Sequence, residues 1–444
     1  MSAPSTLSIS ISSLVILLAQ RMGLNLGGTE FWTTAELTLY IQQAIREFQV
    51  LTGYWRARVQ LSTVAGIPYY DLHSSGVVPL TINDTAILQQ VGYHLLEFNG
   101  TGAFTNTGQF SQGTVTAAFD QRREEILGES RIIVTEYGGN VGPPPSQGRL
   151  ILSNGVIQIH RCEWLDAPSG LWSLVSETDD LAASGWSYEW PQNPNIPGAF
   201  SVATTRPFEV QLIPPPVNNG TLDLLVTACQ PYAYNSNTPQ LIGLPDDATW
   251  VLPWGILTSV LGQDAQSRDY GRAQYASSRF RSALKLLMGW PMVMQSWPGG
   301  IQTLASTLHA LDHWQSGWRN QPQAQPQTVA VGGRNLIACS PVPDQVYNIP
   351  IDAIVNSPAS GSTTANFDLA GDIVTAILDC AQHLACFKMG GAEFMATMEN
   401  YRAFLTVAEA NANRERAQAI NFNELRGVTN IENADHPYEK VEAA

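Results

Sequence analysis

The sequence has little of what marks the common reactive, secreted or membrane chains. Its five cysteines (Cys162, Cys229, Cys339, Cys380 and Cys386) are odd in number and nowhere spaced Cys-x-x-Cys. That usage reads as reduced thiols in a cytosolic setting, not as a disulfide framework. Long apolar runs are missing too. The N-terminus offers only Leu14 to Leu18, far short of the ~20 residues of a membrane span. No basic residue precedes that run, which argues against a signal peptide. Basic residues number 23 against 38 acidic ones, a net charge of −15. Wrapping nucleic acid needs the opposite balance, because lysine and arginine must displace counterions from phosphates. Catalytic signatures are also absent: there is no Gly-x-x-x-x-Gly-Lys-Ser/Thr loop, no His-Glu-x-x-His and no Gly-x-Ser-x-Gly elbow.

What the chain does have is size, turns and a duplication. At 444 residues, 44% of them hydrophobic, it can bury a sizeable core and has the length of two or three domains. The 36 glycines and 27 prolines run through the whole chain, as in a protein of many short strands. Its second half repeats an assembly of the first. Residues 156–168 match 300–312, and Ser184-Gly185-Trp186 is echoed by Ser316-Gly317-Trp318. The strand Phe200 to Ala203 has a counterpart in Thr328 to Val331, and Ile213-Pro214-Pro215-Pro216 in Ser340-Pro341-Val342-Pro343. Each copy ends in a long helical stretch, near 250–288 and 367–416.

Periodicity places the elements. Leu7, Ile11, Leu14, Leu18 and Met22 recur at helical spacing, and Thr33 with Glu36 forms a capping box before a second stripe of Leu37, Ile41, Ala44, Ile45 and Phe48. Val59, Leu61 and Val64 alternate before the turn Gly66-Ile67-Pro68, so 58–72 reads as a hairpin. Residues 73–155 are rich in glycine, threonine and asparagine and read as a β-rich insertion. The expected fold class is α+β: an N-terminal helix pair plus two tandem β-sandwich units, each followed by a long helix. The boundaries are helices over 1–55, a β-rich region over 56–248 with its insertion at 73–155, and a long helix over 249–290. A second β unit follows over 300–366, a long helix over 367–416 and an extended tail over 417–444.

Few residues group as chemistry. Cys380, His383 and Cys386 sit three apart on an expected helix, where steps of three and six drift around the axis and no fourth metal ligand is near. His309 and His313 are four apart, but the repeat aligns His309 with a strand. The acidic pairs Glu124-Glu125 and Asp179-Asp180 read as solvated turns. Trp164, Trp172, Trp186 and Trp190 read as repeat packing ahead of sugar stacking. In the first long helix Tyr270, Ala273, Ser277, Phe280, Leu284 and Leu287 supply a buried face. Arg268, Arg272, Tyr275 and Arg279 fall on another face, which is solvated or meets an acidic neighbour or another subunit. No catalytic residue, cofactor or metal is expected, and the chain reads as a non-enzyme.

The order of elements carries a resemblance. The segment Trp32 to Leu37 leads to Arg58-Val59-Gln60-Leu61 and Gly66 to Leu72. Val210 to Pro216, Leu222 to Val226, Leu244-Pro245-Asp246-Asp247 and a helix ending Tyr275 to Phe280 follow. Over most of residues 30–288 this resembles the adaptor proteins at the head-to-tail connector of tailed bacteriophages, especially short-tailed ones. The larger 73–155 region and the C-terminal repeat depart from it. The resemblance implies a structural virion protein at the head-tail junction, present in the host cytoplasm during assembly. About twelve copies would close a head-to-tail ring, dock under the portal protein, prolong the DNA channel and hold the tail tube or nozzle protein. The tail from about Arg416 would dock toward the portal, with Arg416, Phe422 and Tyr438 as contact candidates. DNA would pass as cargo and no membrane would be involved. A twelve-membered ring would carry a charge of about −180, whose acidic walls would let DNA slide. The alternative is a tail, neck or glycan- (receptor-) binding virion protein.

Overall fold

The computed structural model describes residues 6–25, 31–73, 77–96, 110–143, 148–186, 189–203, 207–229, 232, 238–263, 269–289, 293–296 and 304–425. The chain folds as two units, one from residues 1–55 with 361–444 and one from 56–360.

Strand β1 (Thr6–Ser10) and helices α1 (Ile11–Arg21) and α2 (Thr34–Thr52) open the first unit. Ser10 caps α1 by accepting the Ser13 N–H at 3.2 Å, so Leu7 lies outside the helix in β1, where it is exposed. Thr33 caps α2, accepting the Glu36 N–H at 3.2 Å.

The second unit begins with β2 (Arg56–Ser62) and β3 (Tyr69–Asp71), then α3 (Asp84–Leu95) and α4 (Gln112–Ser130). Strands β4 (Thr135–Val141), β5 (Arg149–Ile151), β6 (Val156–Asp166), β7 (Leu171–Leu174) and β8 (Ser176–Glu177) follow. After α5 (Asp180–Trp186) come β9 (Ala199–Val202), β10 (Glu209–Ile213) and β11 (Gly220–Ala228), then α6 (Val251–Leu261) and α7 (Tyr270–Met288). The unit ends with β12 (Val293–Ser296), β13 (Leu304–Thr307), α8 (Leu308–Trp314), β14 (Thr328–Gly332), β15 (Leu336–Ser340) and β16 (Asn348–Ile354). The chain then returns to the first unit through β17 (Asn366–Ala370), α9 (Gly371–Phe387), α10 (Gly391–Ala396) and α11 (Met398–Leu425).

The first unit is held by the two chain ends together. β1 pairs antiparallel with β17. The stripes of α1, α2, α9 and α11 bury Leu14, Phe48, Ile377 and Phe404, with the Phe48 and Phe404 ring centres 6.3 Å apart, as amphipathic helices must hide their apolar faces. Lys388 meets the buried Glu36 at 3.0 Å, and Tyr401 donates to Glu47 at 2.8 Å. The N-terminal helices and the C-terminal segment therefore share one core, where the sequence suggested separate segments.

The second unit nests one sandwich inside another. The inner sandwich packs the sheet β5-β10-β9-β8 on β4-β11-β6-β7, and the outer packs β3-β15-β14-β13 on β2-β16-β12. The two orders correspond strand for strand, with β7 unmatched. β8 runs parallel to β9 as β13 does to β14, each pair bridged by a short helix. Both copies leave their next strand through a cis proline, Ile213-Pro214 and Ser340-Pro341. Alternation fills each core: on β11, Leu222, Leu224 and Val226 point inward with Trp164 and Phe200. In the outer sandwich Tyr70, Val329, Ile337 and Ile351 do the same.

Two sandwiches of matching strand order are thus present, but several expected boundaries move. β2 and β3 belong to different sheets and do not pair as a hairpin; each adds to the outer sandwich, extending the second β unit beyond 300–366. Residues 156–166 of the first segment form the single strand β6 and 167–168 the turn after it, whereas the described part of 300–312 is β13 plus helix, so that alignment fails and β8 is the true counterpart of β13. His309 consequently sits on α8 and not on a strand. The 73–155 region contributes two helices before its strands. Ser111 caps α4 by accepting the Thr114 N–H at 3.1 Å, turning a threonine-rich stretch helical. Residues 249–290 contain two helices, α6 and α7, and 367–416 contains parts of four elements. Helix α11 runs to Leu425, into the expected tail, and residues 426–444 lie outside the described ones.

Candidate functional site

The densest cluster of polar chemistry lies between the two sandwiches. It starts from an oddity of β6 and β11, where charged residues alternate with core residues: Arg161 and Glu163 flank Cys162, and Asp223 sits between Leu222 and Leu224. Alternation turns these charges out of the inner core and toward the outer sandwich. There an apolar seam of Tyr69, Leu225, Leu311, Trp318, Ala330 and Ala338 joins the two.

The charges close over that seam. Arg161 forks onto Asp312 of α8, with Nε at 2.8 Å and Nη2 at 2.7 Å from its two oxygens, and its Nη2 also donates to Glu163 at 2.8 Å. Arg319, from the 3-10 turn Trp318–Asn320, reaches back to Glu163 and to Asp223 at 2.6 Å. Its guanidinium lies 3.6 Å from the centre of the Trp172 ring. Tyr69 donates to Glu163 at 3.2 Å, and the Trp318 indole to Asp312 at 3.0 Å. Planar guanidinium groups suit such a site because they serve two carboxylates at once.

Two cations face three carboxylates, all largely buried. Burial alone would favour neutral arginines, but Asp312, Tyr69 and Glu163 outweigh it and hold Arg161 firmly charged. Burial also raises the Asp223 carboxyl, with Arg319 opposing. Glu136 on β4, at the exposed rim, is pushed up to about 7, first by desolvation and then by the neighbouring Asp223 charge. Burial pushes the Tyr69 hydroxyl well above its ordinary value, so it acts as a donor.

A cleft of about 460 Å³ opens beside the clamp, with His160, Arg131, Glu177 and His309 among its walls. The Thr227 hydroxyl donates to the Ile133 carbonyl at 3.0 Å and so accepts from His160 Nε2 at 2.6 Å. That leaves His160 Nδ1 as an acceptor, and burial lowers the ring to about 4, so it is neutral at pH 7.

The expected interface residues divide. Arg279 is buried, stacked 4.7 Å from the Trp254 ring and donating to the Tyr275 hydroxyl at 3.2 Å. Arg272 donates to the His94 carbonyl at 2.6 Å. These arginines therefore hold α7 to its neighbours and do not form a solvated face, because Trp250 and Trp254 of the adjoining segment give Arg279 an aromatic box. Tyr270, expected to be buried, is 65% exposed. Arg268 and Tyr438 lie outside the described residues; Arg416 and Phe422 fall on α11, their side chains outside the description. Cys380 and His383 pack inside the first unit, the latter stacked between Phe394 and Tyr401. Among the described residues no group of three or more histidine, cysteine or acidic side chains could hold a metal, and no helix is long and apolar enough to cross a membrane. Of the four tryptophans weighed for sugar binding, Trp164 and Trp190 are buried and Trp172 is covered by Arg319; the Trp186 side chain lies outside the description.

The Leu244-Pro245-Asp246-Asp247 motif is a hub. Asp246, fully buried, accepts the backbone N–H groups of Thr81 at 2.6 Å and Ile82 at 3.1 Å. Asp247 accepts the Ser357 N–H at 2.7 Å. No protein-family model matches the sequence, and no curated protein matches it.

Proposed function

We propose that the chain is a structural virion protein, a head-to-tail adaptor that assembles as a ring under the portal protein, prolongs the DNA channel and offers a platform to the tail. The observation that carries the reading is the use made of the residues behind the resemblance. Asp246 and Asp247 tie distant loops to the start of α6, and Tyr69, from the Gly66 to Leu72 motif, completes the clamp between the sandwiches. Charge inside the second unit is thus committed to holding its shape. Two sandwiches locked through buried arginines suit a part that must keep its geometry when its neighbours pull on it. The glycan-binding alternative loses support from the cover over Trp172.

The test is to mix the purified chain with the portal ring of the same genome and measure the mass of the complex. Addition of about a dozen chains per portal ring supports the adaptor reading. A chain that ignores the portal overturns it.

A further inference from the structure

The exposed face of α7 is not the one that the arginine spacing suggested. The side chains of Arg281 and Lys285, one turn apart, are both exposed and make no hydrogen bond or ion pair among the described residues. They border an open groove of about 490 Å³ along α7 and the end of α6, lined by the hydroxyl-bearing residues Thr258, Ser277, Ser278 and Ser282. In a chain with 23 basic residues and a net charge of −15, two neighbouring cations without an ion partner among the described residues stand out. The second unit also carries the complementary feature. At the start of α5, Leu181 is 86% exposed, and Glu177, Asp179 and Asp180 around it are exposed as well. Asp179 accepts the Ala182 N–H at 2.6 Å, which fixes the acids at the base of the knob.

The geometry points to a contact between copies in which the α5 knob of one chain, Leu181 with its acids, docks on the α6–α7 groove of the next. The inference rests on the proposed self-assembly and names its surfaces. The two patches differ, so the contact is heterologous. Repeated head to tail, it closes a ring or extends without end according to the rotation per copy. Opposite charge sets the register, and the hydroxyls that line the groove offer hydrogen bonds to the knob's backbone. Paired patches of this kind speed encounter and reject wrong partners more than they add raw affinity.

Charge reversal tests it on the full chain. Arg281→Glu with Lys285→Glu reverses the groove, and Glu177→Lys with Asp180→Lys reverses the knob while leaving the Asp179 cap intact. Each variant alone should associate on the order of a hundredfold more weakly than wild type by sedimentation, since like charges then face each other. An equal mixture of the two should assemble again, because each groove then finds an opposite knob. As a second readout, Leu181→Cys chains mixed with Ser278→Cys chains should form a disulfide-linked dimer on oxidation, with the five native cysteines buried and out of reach. Groove reversal that abolishes assembly while knob reversal leaves it intact would overturn the proposal in favour of another occupant. Assembly unchanged in both variants would overturn the contact and leave the adaptor reading standing. A wild-type chain that never self-associates, alone or on portal rings, would overturn both.

Discussion

Replacing Arg319 with methionine is the sharpest probe of the clamp. Methionine keeps much of the aliphatic stem but removes the guanidinium that serves Asp223 at 2.6 Å and Glu163 and lies 3.6 Å from the Trp172 ring centre. Glu163 retains Arg161, whereas no other ion pair forms on Asp223 among the described residues. The Asp223 side chain is only 7% exposed, and its Oδ1 already has no hydrogen-bond partner. Stranding one member of a buried pair costs about 3–5 kcal/mol, and loss of the cation–π contact adds about 1 kcal/mol. The total should lower the melting temperature of the second unit by about 10 °C in scanning calorimetry. Adding Asp223→Asn should recover a coupling of about 1–3 kcal/mol, because the stranded charge goes with it. The loss should also shrink toward acid pH, where a stranded Asp223 takes up a proton. A shift below about 2 °C, or a double variant no better than Arg319→Met, would refute the clamp as the link between the sandwiches.

Other outcomes follow from the same geometry. Glu136, raised to about 7 from its ordinary 4.5, favours the folded state below about pH 4.5 and loses that contribution as pH rises through 7. Glu136→Gln should therefore remove a stability loss over that window, on the order of 1 kcal/mol once solvent screening at its exposed rim is allowed for. His160, lowered to about 4 from 6.5, acts oppositely: its contribution is present above 6.5 and is lost as pH falls through 4. His160→Gln should flatten the acid side, and pH-resolved urea melts that show neither change would contradict these environments. Gly220→Ala should destabilise by about 2–3 kcal/mol, since a Cβ there would meet the Leu165 carbonyl and the Trp164 ring at 2.3 Å. Gly138→Ala, whose nearest neighbour would be 3.8 Å away, should be close to neutral in the same melts. A fragment of residues 1–290 should aggregate, because it strands β2 and β3 without β14, β15 and β16; a soluble fragment with a cooperative melt would contradict the nested pairing.

The parts of the fold legible in the sequence were those set by local chemistry. The Thr33 cap, the stripe of Leu37 to Phe48, and the matched strands ending at Pro214 and Pro341 all depend on neighbours within a few residues. The nesting was hidden because Tyr69 pairs with Ala338 and Val59 with Ile351, partners far beyond any local pattern. Helix α4 is hidden because Gly113, Thr114 and Thr116 in its first turns suggest strand or turn, whereas the Ser111 cap and tertiary packing decide. The clamp does leave a signal in the sequence: Arg161, Glu163 and Asp223 stand at alternate positions beside the core residues Cys162, Trp164, Leu222 and Leu224, which marks a charged face that meets another layer. Arg279 illustrates the converse, since helical spacing groups it with Arg272 but cannot reveal the tryptophans that enclose it.

The proposed adaptor role is tested most directly by gold-labelled antibody against the chain, applied to virions recovered from cells that carry the genome encoding it and viewed by electron microscopy. A head-to-tail adaptor should carry label at the single vertex where head meets tail, and the label should be lost from particles made without the chain. Label spread over the capsid, confined to the tail tip, or absent from the virion would contradict it.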